Sequence, residues 1–556
     1  MVCPSLIGVA SAFLAVPVLS IPLGVRDTAT DPIVNISYGA FQGSTSGNVA
    51  QFLGIPFAQP PIGSLRFGLP QPPEPLEGIQ QATSFGPACP QQEIVLPEEL
   101  PSNFSIPVLD LISEDCLYAN VWAPADATSE DNLPVIFWIY GGGFELGSAS
   151  IYDGSLYVER SIDLGEPVIF VSHNYRMNAF GFLAGQEVEE AGLTNVGLRD
   201  QRLALEWVNQ YISAFGGDPS KVIIWGESAG AFSVAAHLVW NNGDPAGLFR
   251  GAIMESGFPI ALHNVSEGQP SYDQLVQYTG CANSSDTLDC LRYADYETLQ
   301  AAIALTPTIF SYTSLNLAWE PRIDGTIILQ NGERYIEQGI YAKVPIIAGD
   351  CDDEGTLFSL SNLNITTDDE FLTYIQENYI IGASDADISL VGEAYPSDPS
   401  DGSPFDTGDL NDLTPQFKRI AAFQGDWMFQ APRRYMLETL SKTQDTWGYL
   451  YKRGKATPIL GTFHASDLVE YFTSVDYIGV DAIINFANTL NPNTPPGLPG
   501  AILSLLSLYT WDQWGSNPSS PPLLTFVDPA PLITTTADTY RADAMQLLTN
   551  LSLQIP

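Results

Sequence analysis

Basic residues are scarce in this sequence. Against 64 acidic side chains there are only 21 Lys and Arg, so the 556-residue chain has a formal net charge of −43 at pH 7. Such a surface repels phosphate backbones and anionic lipid head groups, which argues against nucleic-acid binding and against electrostatic docking on membranes. The apolar fraction of 45 % is large enough to fill a core, so wholesale disorder is excluded.

Long apolar runs are also missing. The apolar stretch LIGVASAFLAVPVL within residues 1–20 is short, contains Pro and is followed by small residues, so it predicts a cleaved secretory signal. No later stretch reaches the roughly 18 apolar residues that a spanning helix needs. We therefore expect a secreted, extracellular protein without a stable membrane anchor. Six Asn-x-Ser/Thr sequons would then be candidates for glycosylation: Asn35, Asn103, Asn264, Asn283, Asn364 and Asn550.

Cysteine and histidine are few. Of the six cysteines, Cys3 lies in the predicted signal and would be removed with it. Cys281 and Cys290 enclose a short polar loop that suits a local disulfide, Cys89 and Cys116 enclose residues 90–115, and Cys351 is the odd one, expected as a buried free thiol. Because there is no His-x-x-x-His pair and no closely spaced Cys/His set, no metal and no cofactor are predicted.

Short β-branched apolar runs alternate with Gly-rich turns and helical patterns along the chain. Continuous hydrophobicity in such runs is typical of central strands buried on both faces. The runs are Val135–Tyr140, Val168–Ser172, Val222–Trp225, Ala252–Glu255, Val344–Gly349 and Trp447–Lys452. Between two of them, Asn195–Phe215 spaces its apolar residues at helical intervals. The pattern predicts one α/β domain over residues 21–556, with a large, mostly parallel sheet flanked by helices and an antiparallel N-terminal edge.

The motif GESAG at Gly226–Gly230 is the sharpest chemical signal. It follows an apolar strand and precedes a run of small residues suited to a helix, which is the context of a nucleophile elbow. Both glycines allow the tight turn, and the serine between them, Ser228, is the candidate nucleophile. The alternative is a structural Gly-rich turn that holds an idle serine.

An oxyanion hole would complete such a site. Gly141, Gly142 and Gly143 follow the strand VIFWIY directly, and consecutive glycines let backbone N–H groups point at one spot. We predict that Gly142, Gly143 and Ala229 donate to the developing oxyanion. Read alone, the loop could also be an ordinary Gly-rich connection.

The general base must come from four histidines. His173 ends a predicted strand and is expected in the core, His237 lies on the helix after Ser228 and faces away, and His263 adjoins a sequon on a surface loop. His464, in the loop GTFHASD after a predicted strand, is therefore the candidate base. The alternative is a loop histidine with a purely structural role.

The acid that orients the imidazole should follow another strand. Asp350, Asp352, Asp353 and Glu354 cluster after the predicted strand VPIIAG. The sequence pattern does not choose among these four carboxylates, and a solvated acidic turn is the alternative for any one of them.

Together these motifs resemble the type-B carboxylesterase/lipase family, the cholinesterase-like branch of the α/β-hydrolases. The resemblance rests on FGGDPSKVIIWGESAG at residues 215–230, EDCLYANVWAP at residues 114–124, GLRDQRLALEWV, WIYGGGFELG, the DDEG turn and GTFHASD. Ala119 stands where the family usually has a bulkier residue. The phrasing is closest to secreted fungal lipases and sterol esterases.

The resemblance implies an α/β-hydrolase fold and a triad of Ser228, Glu354 and His464, in the chain order Ser, Glu, His. It also implies two disulfides, Cys89–Cys116 and Cys281–Cys290. The implied activity is hydrolysis of carboxylic esters through an acyl-enzyme, with a lipophilic ester as partner, such as an acylglycerol, a sterol ester or a long-chain ester at a lipid–water interface.

The composition of residues 90–115 gives information about the kind of ester that the protein would cleave. The cholinesterases that the sequence resembles carry an aromatic cation-binding residue, usually Trp, in this loop, and its absence here argues against choline esters. The loop is rich in apolar residues, as a lid over an apolar cleft would be. A static cover is the alternative to a lid. An esterase for shorter-chain or phenolic-acid (feruloyl-type) esters is the alternative function, and an inactive adhesion module on the same fold is a more remote one.

Overall fold

A computed structural model describes residues 31–555 of the chain except 103, 499, 501, 530 and 531. The predicted signal at residues 1–20 and the sequon residue Asn103 lie outside the described residues. Pro32–Pro556 form one compact unit. None of the helices within the described ranges combines the length and apolar character that crossing a membrane requires.

Most of the strands in the described ranges belong to one large mixed sheet. The strands are β1 Ile33–Ile36, β2 Gly39–Gln42, β3 Ser44–Ser46, β4 Val49–Pro56, β5 Ile79–Gln81, β6 Tyr118–Pro124, β7 Leu133–Ile139, β8 Ile169–His173, β9 Gly217–Glu227, β10 Gly251–Glu255, β11 Ile346–Cys351, β12 Thr446–Tyr451, β13 Pro522–Phe526 and β14 Ile533–Ala537. The large sheet has the order β14-β13-β12-β11-β10-β9-β7-β8-β6-β4-β3. β1, β2 and β5 form a separate small sheet.

Helices connect and flank these strands. They are α1 Ser155–Leu164, α2 Asn178–Phe182, α3 Gln186–Glu190, α4 Val196–Tyr211, α5 Ala229–Gly243, α6 Gln269–Tyr278, α7 Thr287–Tyr293, α8 Tyr296–Ile303, α9 Gly332–Glu337, α10 Thr356–Ser359, α11 Asp368–Asn378, α12 Asp385–Ala394, α13 Phe417–Gly425, α14 Ala431–Leu440, α15 Leu468–Phe472, α16 Ile478–Thr489 and α17 Ala542–Ser552. One π-helical turn, Asp426–Gln430, joins α13 to α14.

The predicted fold is confirmed. Strands β8, β7, β9, β10, β11, β12 and β13 pair in parallel, whereas β3, β4 and β6 form the antiparallel N-terminal edge. The central strands are buried along almost their whole length because helices cover both faces, which explains their continuous hydrophobicity. The antiparallel strand β14 at the opposite edge and the separate small sheet were not anticipated.

The parallel order brings distant segments to one edge of the sheet. The Gly141–Gly143 loop follows β7, Ser228 follows β9, Glu354 follows β11, and His464 follows β12. Since neighbouring parallel strands end on the same side, these segments meet there. Both predicted disulfides, Cys89–Cys116 and Cys281–Cys290, are present, and Cys351 is free and buried.

Candidate active site

Ser228 sits on a strained turn between β9 and α5. Its φ of 52° lies in the left-handed region, which a residue other than glycine adopts only when its surroundings impose it. A Cβ on Gly226 would lie 2.4 Å from the backbone of Gly230, and one on Gly230 would lie 1.9 Å from the carbonyl oxygen of Ile139. The two glycines are therefore required by close backbone packing, and the turn lifts the serine side chain clear of the sheet.

Ser228, His464 and Glu354 form one hydrogen-bonded chain. The imidazole Nε2 of His464 is 2.8 Å from Ser228 Oγ, and its Nδ1 is 2.6 Å from Glu354 Oε2. Burial lowers the pKa of the His464 imidazole below its usual value of 6.5. The imidazole is consequently neutral at neutral pH and able to accept a proton from the serine hydroxyl.

The Glu354 carboxylate is held on both of its oxygens. Ser256 Oγ donates to Glu354 Oε1 at 2.5 Å, and the Cys351 N–H donates to the same oxygen at 2.7 Å. The other oxygen, Oε2, faces His464. Such a set of donors fixes the orientation of the carboxylate, and the carboxylate in turn fixes the imidazole.

The three other carboxylates of this turn are engaged elsewhere. Asp350 lies 3.0 Å from the guanidinium of Arg433, and Asp353 lies 2.7 Å from Lys455 Nζ. Asp352 contacts both Lys455 and Lys452. Glu354 is the member of the cluster that reaches His464.

The remaining histidines lie apart from the serine. His173 is fully buried at 4.6 Å from the Phe137 ring, where burial lowers its pKa to about 3. His237 is also fully buried, on α5, with Nε2 at 3.3 Å from Gln201 Oε1. His263 is half-buried and 3.5 Å from Glu267.

The loop after β7 presents backbone amides beside the serine. Gly142 and Gly143 have φ values of 109° and 63°, and a Cβ on Gly142 would lie 2.2 Å from the Leu146 carbonyl oxygen. Ala229 is the first residue of α5, so its N–H has no partner within the helix. In the described part of the chain, none of these three N–H groups has a hydrogen-bond acceptor. They are therefore available to an oxyanion at Ser228.

One neighbouring acid was not singled out from the sequence. Glu227 is fully buried, and its Oε1 lies 3.5 Å from His464 Nε2. Burial raises the pKa of Glu227 to about 8, so this carboxyl is largely neutral at neutral pH. Its position directly before the nucleophile in the GESAG motif was the available signal.

Ser228 opens onto an apolar cavity. On the α5 side the cavity is lined by Ala229, Phe232, Ala235, Ala236 and Val239, which recur at helical spacing and so share one face. The other walls come from several separate segments and contain Phe258, Pro259, Ile260, Leu262, Ile309, Leu315, Leu317, Glu320, Pro321, Ile328, Tyr335, Phe358, Met428 and Phe429. The apolar walls suit an apolar group attached to an ester carbonyl at Ser228.

The disulfide-closed loop at residues 90–115 exposes apolar side chains. Val95, Val108 and Leu111 are 81 %, 91 % and 60 % exposed. The base of the loop is fixed by the Gln91 side chain. Its amide oxygen accepts from the Gly147 N–H and its amide nitrogen donates to the Gly147 carbonyl oxygen, in the loop that follows β7.

The described residues contain no cluster of His, Cys, Asp and Glu arranged to hold a metal ion. The site instead consists of a hydroxyl, an imidazole, a carboxylate and backbone amides, which is the inventory of covalent acyl transfer.

Comparisons with known proteins agree with this inventory. A family model described as the carboxylesterase family matches residues 30–520. Lipase 2 of Diutina rugosa is 43 % identical over 507 residues, covering 88 % of this chain and 90 % of that protein. The secreted triacylglycerol lipase LIP1 of Gibberella zeae is 41 % identical, covering 82 % of this chain and 81 % of that one. The solved structure of Aspergillus niger EstA has a TM-score of 0.79 at 31 % identity, covering 95 % of this chain and 99 % of that one.

Proposed function

The chain belongs to the carboxylesterase family and is a carboxylic ester hydrolase, and from this premise we propose that it cleaves esters of long, lipophilic acyl chains at Ser228. Acylglycerols, sterol esters and long-chain esters are the substrate class. The observation that carries the proposal is the direct opening of Ser228 onto a cavity whose lining side chains are almost all apolar. Relatives named as lipases add support.

The proposed reaction proceeds through an acyl-enzyme. His464 Nε2, 2.8 Å from Ser228 Oγ, takes the hydroxyl proton while the oxygen attacks the ester carbonyl. The N–H groups of Gly142, Gly143 and Ala229 stabilise the oxyanion, and removal of one such donor typically lowers the rate by about 10²–10³. Protonated His464 then protonates the leaving alcohol. Water repeats the sequence on the acyl-enzyme and regenerates Ser228.

Glu354 is proposed to orient the imidazole. Its Oε2 accepts from His464 Nδ1 at 2.6 Å, so the lone pair of Nε2 faces the serine. The carboxylate also stabilises the imidazolium that forms during attack, and it does so without itself taking the proton.

Residues 90–115 are proposed to act as a lid. Val95 and Val108 are almost fully exposed, and an apolar loop tip gains by transfer to a lipid surface. The Cys89–Cys116 disulfide and the Gln91 contacts hold the base of the loop, whereas Phe104 in its middle rests on Phe463 at a ring-centroid distance of 6.0 Å, a contact that opening of the lid would break.

Secretion is proposed on related grounds. A relative is named as a secreted lipase, and the sequence has an apolar stretch in residues 1–20. All five sequon asparagines within the described ranges are exposed and so accessible to glycosylation: Asn35, Asn264, Asn283, Asn364 and Asn550.

A chain-length series tests the proposed substrate class. The rate constant kcat/KM is measured on p-nitrophenyl esters from acetate to stearate, with and without an emulsified interface. We expect a preference for long chains and a gain at the interface. A preference for acetate or for phenolic-acid esters, with no interfacial gain, would instead support the shorter-chain or feruloyl-type esterase.

A further inference from the structure

A single carboxyl group lies in the wall of the otherwise apolar cavity. Among the described residues that line it, the side chains with an oxygen are Ser228, Glu320 and Tyr335. The Ser228 hydroxyl belongs to the reaction centre. Glu320 has no part in the proposed reaction, and a carboxyl group in such a wall lowers the affinity for a plain hydrocarbon chain.

The polar atoms around Glu320 are incompletely satisfied. Its Oε1 is buried without a hydrogen-bond partner in the described structure, although it lies 3.5 Å from Arg322 Nη2. Arg322 Nε is also buried without a partner. The two side chains are only 12 % and 5 % exposed. Buried polar groups without partners are destabilising, so each such group in a native site calls for an explanation.

Glu320 is separate from the reaction centre. The titratable groups beside it are Arg322, His263 and Glu267, none of which belongs to the Ser228–His464–Glu354 chain. Along the α5 wall the cavity runs from Ala229 to Val239, a distance of about 15 Å at 1.5 Å per residue. An acyl chain long enough to follow this wall passes well beyond the ester carbonyl.

The charge balance selects the kind of group that Glu320 can bind. Arg322 already provides a cation beside the carboxylate, so an added amine would face a positive neighbour and an added carboxylate a negative one. A neutral hydroxyl can donate to Glu320 without changing the net charge. Tyr335 also lines the cavity, and its hydroxyl oxygen accepts from the Leu329 N–H at 2.7 Å.

We propose that Glu320 is a specificity-determining residue that binds a hydroxyl group on the acyl chain, so that hydroxylated long-chain esters are favoured substrates. This inference rests on the proposed function, since it requires the cavity to hold the acyl chain. It adds a polar subsite to a cavity whose other walls recognise only length and shape.

The test compares matched esters on matched variants. The substrates are p-nitrophenyl palmitate and the same ester carrying a hydroxyl at mid-chain or at the chain end. The wild type, Glu320→Gln and Glu320→Leu are assayed for kcat/KM, and thermal unfolding is recorded for each. Because Gln keeps an acceptor oxygen and Leu does not, the Gln variant separates lost hydrogen bonding from lost charge.

We expect at least one hydroxylated ester to be preferred by the wild type. In Glu320→Leu the ratio of hydroxylated to plain ester should fall by about tenfold or more, while Glu320→Gln keeps most of the preference. A purely structural role for Glu320 would lower both rates together and leave the ratio unchanged, which would overturn the inference. Failure of the wild type to cleave plain palmitate while it cleaves acetate would contradict the proposed function, and this inference would fall with it.

Discussion

The reaction centre and the acyl-binding region are built in different ways. Ser228, His464 and Glu354 follow three buried parallel strands, and each has its partner within 2.8 Å. The cavity walls come from many segments, and the 90–115 loop is hydrogen-bonded at its base while its middle rests on apolar packing, such as Phe104 on Phe463. The difference indicates that the sheet sets the chemistry, whereas the cavity and loop set the choice of ester. Substitutions in the two regions should therefore have separable effects.

The largest effect is expected at the carboxylate of the reaction centre. Glu354→Gln should lower kcat by about 10⁴-fold on every ester, because an amide orients His464 in the wrong tautomer. Asp352→Asn is the matched control, since Asp352 contacts Lys452 and Lys455 rather than His464, and it should retain most of the activity. Steady-state kinetics on both variants provides the measurement. The reverse ranking would assign the orienting role to Asp352.

The next effect concerns the α5 wall of the cavity. Ala235→Leu adds volume where the acyl chain is proposed to lie. We expect kcat/KM on p-nitrophenyl palmitate to fall about tenfold, a loss within the range of a few methylene contacts. Hydrolysis of the acetate is the internal control and should change less than about twofold. Equal losses on both esters would mean that the substitution disturbs the reaction centre instead.

A smaller effect is expected at the loop surface. Val108→Ser removes apolar surface from the loop and should reduce activity on emulsified triacylglycerol by about two- to fivefold. Full burial of an aliphatic side chain contributes about 1.5–3 kcal/mol, and only part of this side chain would enter the lipid. Activity on soluble acetate should stay the same. Leu508→Ser is the control, because Leu508 is 78 % exposed and lies outside the loop. An equal loss in the control would remove any special role for the loop.

The smallest effect is a displacement of the pH profile. Because burial lowers the pKa of His464, the imidazole stays neutral and basic at lower pH, so the acid limb of kcat/KM should have its midpoint below 6.5. Because burial raises the pKa of Glu227 to about 8, this carboxyl is neutral across the acid limb, and Glu227→Gln should leave the midpoint nearly unchanged. A wild-type midpoint above 6.5 would contradict the role of burial, and a clear shift in the Glu227→Gln variant would contradict the neutrality of Glu227.

The reaction centre was more predictable from the sequence than the acyl-binding region. A short apolar strand before a tight glycine turn is a local pattern, so Ser228 could be identified from neighbouring residues alone. The predicted strand at Val344–Gly349 begins two residues late in the structure, at Ile346, because Pro345 cannot donate to the sheet. Strands β13 and β14 were missed because they are short and close to proline.

Ion pairs between residues distant in sequence explain which of the clustered acids orients the imidazole, a choice that the sequence pattern left open. Four acids stood together at the end of β11 and just after it, and Glu354 was favoured only through the resemblance. The structure gives the physical reason, since Arg433, Lys452 and Lys455 engage the other three from distant positions in the chain. The cavity and Glu320 were not predicted, because walls assembled from many segments leave no local pattern.

The central claim is that Ser228 carries the acyl group during turnover. The most direct measurement is mass spectrometry of enzyme quenched during hydrolysis of p-nitrophenyl palmitate, followed by peptide mapping. We expect one palmitoyl adduct on the peptide that contains residue 228, and neither adduct nor turnover in Ser228→Ala, where kcat should fall by about 10⁶-fold. An adduct on another residue, or near-normal turnover in Ser228→Ala, would contradict the account.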